Sequence, residues 1–464
     1  VSADAGIGRL AQGARSSLDR RSLAGLAFWL TVSVAATLPF EFTKQWFPVT
    51  WIELSRLLMV AAILVSTYVA ARHHEGLARD GLMVAAFLLV LTAAVSTAFH
   101  PSTTDLKALA SSFVYLGFAL TVAWNIRNVR DLWIFGLAVV GSAVVVALVA
   151  IVEQAFDTYL WRGDMIKLDR RNSTLGDPNI AARVLTLGLV TLLGLVLASR
   201  VLTRRELVGV ALVAAVLGIG EALTQSRTMW VLTLLAIVAW IPAAALWRRV
   251  TFIPMAVFLV AMVTSIVALP FLSSRAATIN PGDLIDEGSP LSPAAAMSIG
   301  PPTPADPLIS MLPLDGVRRY LIRAGIAMWL DSPVTGVGLG GFGEAMSGPY
   351  QEYIPPDRRN ATVVLIHTDA VRTLAESGLV GFVGWVVFVA LCLVSVFRLL
   401  RRPGWSRAAG MVTLSAFGVI LLASQLAGRF ATEPYLWLLV GVLIAAPRIP
   451  AAAGRLTMDV RDGA

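Results

Sequence analysis

Apolar residues run along the chain in blocks of about 20, the length that crosses a bilayer's hydrocarbon core as a helix. Short polar segments separate the blocks. They predict about twelve membrane helices, at 22–40, 51–71, 81–99, 106–124, 132–152, 179–199, 206–224, 228–247, 251–272, 374–397, 409–427 and 433–447. The first block is followed by Thr37-Leu38-Pro39-Phe40-Glu41, which lacks a small-x-small cleavage pattern, so it reads as an anchor helix. The pattern is interrupted at 153–178 and at 273–373. The longer interruption begins with a low-complexity piece from Pro281 to Pro313, expected to be irregular. Helical spacing returns from Asp315, with Tyr320, Leu321, Ala324, Met328 and Trp329 on one face, and Asp331-Ser332-Pro333 ends it. The Gly-rich run Thr335–Gly343 reads as a turn. A last helix is expected to start before His367 and to flow into the tenth span. No repeat of about 20–50 residues is visible.

Composition narrows the class. The 464 residues are 57% hydrophobic and 14% charged, against about 45–50% and about 25% in soluble domains. That excludes a soluble enzyme, a fibrous protein and a disordered chain, and predicts an all-α polytopic membrane protein. Its expected parts are an N-terminal membrane domain (1–272), a large, partly helical extracytoplasmic loop (273–373) and a C-terminal membrane domain with a tail (374–464). A net charge of +8 would point to nucleic acid in a soluble protein. Here it raises the question of sides, and no nucleic-acid partner is expected. With the N-terminus inside, the inner segments hold Arg9 to Arg21, Arg72, Arg79, Arg127, Arg130, Arg200 to Arg205, Arg248, Arg249, Arg398 to Arg407 and Arg448 to Arg461. The short outer loops hold little beyond Lys44, Arg227 and Arg429, which is the positive-inside pattern. The single cysteine, Cys392, allows neither an intrachain disulfide nor a Cys-based zinc site.

Ionisable groups inside the spans are few, because each costs several kcal/mol at mid-bilayer. Glu53, Arg56, Arg183, Glu221 and Arg227 all fall toward the outer end. Arginines near a helix end can snorkel to the interface. Clustering at one depth also fits a shared polar cavity, and the planar guanidinium fork suits a lipid phosphate or diphosphate. Asp177-Pro178-Asn179 opens the sixth span as a natural cap and first turn, and that same helix start could face an anion. His73 and His74 read as a solvated face, and His100 as interfacial. His367 stands in the large loop just before a span. It reads either as structural or as a general base working near neutral pH. Gly336, Gly338 and Gly341 match G-x-G-x-x-G literally, but no strand precedes them and they face outward, so a dinucleotide site is rejected. Asp283, Asp286 and Glu287 lie in the Pro-rich stretch and read as a solvated acidic run. With no D-x-D pair in the first outer loop, no metal and no cofactor is expected.

Four elements, in order, resemble the O-antigen ligase and polymerase superfamily. Gly176-Asp177-Pro178-Asn179 is similar to its Gly-x-Pro-Asn element, and Gln225-Ser226-Arg227 to its Ser-Arg element. Arg318, ahead of Pro333–Gly340, is similar to its loop arginine and glycine turn. His367, followed by Leu374-Ala375-Glu376-Ser377-Gly378-Leu379-Val380-Gly381, is similar to its loop histidine and helix entry. The resemblance implies a GT-C-like, inverting, metal-independent glycosyltransferase of the bacterial inner membrane, with its site on the periplasmic side. The donor would be a glycan on an undecaprenyl diphosphate. The acceptor would be a sugar hydroxyl of lipid A-core, with membrane lipid around both. Carried over, His367 would be the base, and Arg227 with Arg318 or Arg319 would bind the diphosphate. Arg183 and Arg56 would add charge there, and Asp177, Asn179 and Glu221 would support. Thr368 departs from the family's frequent Asn, and Arg319 beside Arg318 leaves open which one acts. Polymerase and protein O-oligosaccharyltransferase remain alternatives to the ligase. Secondary transport is disfavoured, because the halves are unlike and the charges sit at one end rather than at mid-membrane.

Overall fold

The computed structural model describes residues 22–47, 52–72, 80–161, 170–198, 203–246, 297, 299–311, 316–356, 368–402, 404–428 and 430–449. Among them there are helices and turns but no strand. In chain order the helices are α1 (Ser22–Thr37), α2 (Leu54–Arg72), α3 (Gly81–Phe99), α4 (Thr103–Asn125), α5 (Val129–Ala155), α6 (Pro178–Ala198) and α7 (Arg204–Thr224). They continue as α8 (Arg227–Leu246), α9 (Asp306–Met311), α10 (Gly316–Asp331), α11 (Phe342–Ser347), α12 (Asp369–Leu400), α13 (Trp405–Ala427) and α14 (Pro434–Ala445). Eight of these are long and apolar enough to cross a membrane, and α1, α8 and α14 are shorter apolar helices. The chain is therefore a multi-pass membrane protein. Each corresponds to an expected span. The ninth expected span, 251–272, lies outside the described residues, as do the Pro-rich piece from 281 to 296 and both ends of the chain.

Local signals explain the helix starts. Ser102 with Asp105, Asn128 with Asp131 and Thr203 with Glu206 form reciprocal capping boxes at α4, α5 and α7. The centre of the bundle is α6, with 83% of its apolar window buried against 22% for α12. It packs on α5, α7 and α13, while α12 lies along α3 and α14 along α4. Small residues allow the close approach: a Cβ on Gly188 would meet the Ala143 Cβ at 2.4 Å, and one on Gly220 would meet the Ala147 Cβ at 2.7 Å.

The longest helix, α12, differs from expectation at its head. It begins at Asp369, after rather than before His367, because Thr368 is extended (φ −100°, ψ 105°) and occupies the cap position. It does not run straight into the membrane either. Gly378 breaks it at φ 60°, ψ −160°, a region open essentially to glycine alone. A break strands backbone groups that a bilayer cannot hydrogen-bond. The glycine-rich turn bonds them instead. Val337 N–H donates to the Ala375 carbonyl at 2.9 Å and Gly338 N–H to the Glu376 carbonyl at 3.0 Å. In return Leu379 N–H donates to the Pro333 carbonyl at 2.8 Å and Val380 N–H to that of Val334 at 3.3 Å. The Ser96 hydroxyl of α3 donates to both the Thr335 and the Glu376 carbonyls. The run that matched a nucleotide motif is thus a clasp on a broken helix. The expected amphipathic helix is α10, and its apolar face joins Phe342, Met346, Tyr353, Ile354 and Ala375 in a small core of its own. That core seats the described part of the loop on the head of α12.

The clasp makes a testable contrast. A Cβ on Gly378 would lie 2.4 Å from the Val334 backbone, whereas one on Gly404, also left-handed at φ 75°, would meet nothing within 4 Å. Gly404→Ala should cost only the backbone strain, ~1–3 kcal/mol. Gly378→Ala should lose the clasp as well and fall further in thermal unfolding of the detergent-solubilised protein. Equal losses for the two would mean that the interlock contributes nothing.

Candidate active site

Most of the sequence-selected polar residues among those described meet at one end of the bundle, the end that the arginine pattern assigns to the outside. The turn Gly176–Asn179 is its hub. The Asp177 carboxylate accepts the Asn179 N–H at 2.7 Å and so caps α6. The Asn179 side-chain oxygen accepts from Arg170 Nη2 at 2.6 Å and from Ser226 Oγ at 2.8 Å. Arg170 Nε donates to the Thr224 carbonyl at 3.0 Å. Gln225 is left-handed (φ 52°) and turns α7 into α8, which brings Ser226 to Asn179 and leaves Arg227, half-buried, as the first residue of α8. Two elements 47 residues apart thereby share one contact. Arg170 went unselected in the sequence. Its only signal was a basic residue shortly before the Gly-Asp-Pro-Asn turn.

The same turn reaches Arg56 through a relay. Gly176 N–H points at the Glu41 carboxylate at 3.4 Å, and the Thr174 hydroxyl donates to the Pro39 carbonyl at 2.7 Å. Lys44 bridges Glu41 (3.4 Å) and Glu53 (3.2 Å), and Arg56 Nε binds Glu53 at 3.1 Å. Arg183 is 1% exposed, and its Nη1 is held by Glu433 at 2.8 Å. Nothing in the sequence linked these two, 250 residues apart. Arg183 is thus committed to a carboxylate inside the protein, and Arg56 is committed in part. The Glu221 carboxylate accepts from the Thr233 hydroxyl at 2.6 Å and from that of Thr186 at 3.4 Å, which ties α7 to α8 and α6.

The loop arginines divide by burial. Arg319 is 9% exposed, and its Nη1 donates to the Ser310 carbonyl at 3.2 Å. Arg318, its neighbour on α10, is half-buried. Arg323, one turn on, is the structural one. It grips Asp306 with Nε at 2.9 Å and Nη2 at 3.0 Å, and it also binds the Ile299 and Pro301 carbonyls. Burial opposes the Asp306 charge, but hydrogen bonds from Arg323 and Thr303 outweigh it and hold this carboxyl below the ordinary carboxylate value. His367 lies outside the described residues. The next turns of chain are described: Asp369 accepts the Phe430 N–H at 3.1 Å, and Arg372 binds Glu376 at 3.0 Å.

With this geometry in place, comparison with known families is informative. Residues 212–386 match the family model described as O-antigen ligase. No curated protein matches the chain. The matched stretch contains Ser226, Arg227, Arg318, Arg319, His367 and the clasped break at Gly378, while the Gly176–Asn179 turn lies before it.

Two outcomes are expected from the ion pairs. Removing one partner of a buried pair strands the other charge, at a cost of ~3–5 kcal/mol. Glu433→Ala should therefore destabilise the protein strongly in thermal unfolding, and the double variant Arg183→Met/Glu433→Leu should recover most of the loss. For Asp306 the folded-state carboxyl is the more acidic one. Its contribution is complete above the unfolded value and is lost as pH falls through the folded one. Protease protection of 299–311 should persist through mildly acidic pH and fail only below the ordinary carboxylate range, and Asp306→Asn should lose it at every pH.

Proposed function

We propose, from the match of residues 212–386 to the O-antigen ligase family model, that the chain is the ligase of that group. In this reading it moves a glycan from undecaprenyl diphosphate to a sugar hydroxyl of lipid A-core on the periplasmic face of the inner membrane. The coarser statement, a membrane glycosyltransferase of the O-antigen ligase and polymerase type, follows from the family match itself. The observation that carries the finer reading is the contact of Asn179 with Ser226, which stations Arg227 at the mouth of the bundle.

The chemistry follows from what a lipid diphosphate requires. As the bond to the sugar breaks, charge develops on the diphosphate oxygens, and cations must stabilise it. Arg227 and Arg318 carry that role in our reading, since both are half-buried. Arg319 faces inward onto Ser310, and Arg183 is held by Glu433, so both serve the scaffold. The acceptor hydroxyl has a very high pKa and needs a base. We assign His367, the histidine next to the head of α12. Neutral imidazole takes the proton while the oxygen attacks the anomeric carbon opposite the leaving diphosphate, which inverts its configuration.

Transfer from lipid-linked donor by purified protein tests this. His367→Ala should abolish transfer and leave donor binding near wild type. Arg227→Ala and Arg318→Ala should weaken donor use by more than about tenfold, and Lys at either position should rescue poorly because it loses the fork. Excess chelator should leave the rate unchanged. Wild-type turnover by folded His367→Ala would remove the base assignment. If only polymerised donor forms and lipid A-core stays unmodified, the chain is a polymerase.

A further inference from the structure

A cavity of about 80 Å³ sits between α3, α4, α12 and the start of α14. That is several times the ~10–15 Å³ that one water requires. Its polar wall is one face of α12, where Asp369, Arg372 and Glu376 recur at helical spacing. Thr92 and Ser112 lie on the opposite side, and Trp385 forms part of the lining.

Two polar atoms of the residues that line the cavity are left without partners. Asp369 is 4% exposed; one carboxylate oxygen takes the Phe430 N–H, and Oδ2 is buried with no donor. The Trp385 Nε1–H is likewise buried with no acceptor, while its ring is fixed by stacking on Phe382 and by the edge of Phe430. An unmet buried donor or acceptor costs ~1–3 kcal/mol. A hydroxyl meets both needs, because it donates through O–H and accepts through its lone pairs. The charged lining is two carboxylates against one guanidinium, so the cavity offers no net positive charge to a diphosphate. An orphan acceptor, an orphan donor, a fixed indole and the lining Ser and Thr residues are the chemistry of an uncharged polyhydroxyl ring.

We propose that this cavity is the subsite for a sugar ring of the acceptor glycan, with Asp369 Oδ2 accepting from its hydroxyls and Trp385 Nε1 donating to them. The inference rests on the glycan-transfer reading above and adds where the acceptor is held. The cavity adjoins the start of α12, directly after position 367, and it is chemically unlike the arginine-bearing turn at Arg227. Donor and acceptor would thus be held by groups of opposite character.

The test uses the full-length protein in nanodiscs, with lipid-linked donor and the unmodified acceptor glycolipid extracted from a strain lacking the gene. Asp369→Asn keeps an acceptor for Phe430 and removes only the charge and the free oxygen. Trp385→Phe keeps a stacked ring and removes only the N–H. Asp369→Asn should raise the acceptor KM by about tenfold or more, as loss of a charged hydrogen bond does. Trp385→Phe should raise it a few-fold, and donor KM should stay within about twofold for both. If Asp369→Asn does not fold, Trp385→Phe decides. An unchanged acceptor KM in a folded variant would mean that the cavity holds only water. A rise in donor KM alone would give the cavity to the donor. Either result overturns the proposal. Absence of transfer by the wild-type protein, read before any variant, would instead strike at the functional reading on which it rests.

Discussion

A helix cannot break within a bilayer unless the backbone groups it strands are bonded again. At Gly378 they are, by the turn Pro333–Gly338, in two pairs of reciprocal hydrogen bonds. This constraint organises one end of the molecule. The turn must lie against the break, so α10 and its small apolar core are drawn over the head of α12. Ser96 must face the junction to share its hydroxyl between the Thr335 and Glu376 carbonyls, so α3 is fixed against it. The break also separates a short head, Asp369 to Ser377, from the long apolar span below. A polar helix face can exist there because the head stands apart from the lipid-facing span. The clasp therefore sets both the height of the head of α12 and the wall of the adjoining cavity.

The second organising element is the pairing of buried charge. Alone in hydrocarbon, each charge would cost several kcal/mol. Arg183 is met by Glu433, Arg372 by Glu376, and Arg56 and Lys44 by Glu53. Such pairs are weak sources of net stability. What they give is position: Arg183 joins α6 to the start of α14, and the Lys44 relay joins the head of α2 to the Gly176–Asn179 turn.

Much of this was legible in the sequence, for physical reasons that differ by element. Span positions were legible because a 20-residue apolar block has few alternatives to a membrane helix. Capping residues and Pro178 marked helix starts, and the helix at Gly316–Asp331 showed its apolar period. The head of α12 was misjudged because Thr368 is followed three residues on by Val371 rather than by Glu or Gln, so no capping box marks the helix start. The purpose of the glycine run was hidden for another reason: its partner carbonyls belong to a helix that looks continuous until Gly378 is seen in a left-handed conformation. Long-range pairs such as Arg183 with Glu433 and Ser226 with Asn179 leave no trace in local pattern. Selecting Arg56, Arg183 and Arg227 by depth alone found a common end of the bundle. It could not distinguish an arginine held by a carboxylate from one stationed at a helix start.

That distinction bears on how a transferase of this kind keeps its substrates apart. In our reading both are amphiphiles that approach from the same leaflet, so shape alone discriminates poorly between their lipid parts. Charge does better, because electrostatic differences are magnified where water is scarce. A diphosphate is drawn to guanidinium groups and repelled where carboxylates outnumber them. In our reading, Arg227 and Arg318 supply the first environment and the Asp369–Glu376 face supplies the second. In that reading, pairing Arg183, Arg56 and Arg372 with Glu433, Glu53 and Glu376 is more than a structural necessity. It removes competing anion sites from the same end of the bundle, so that the donor has one place to bind and the acceptor hydroxyl another.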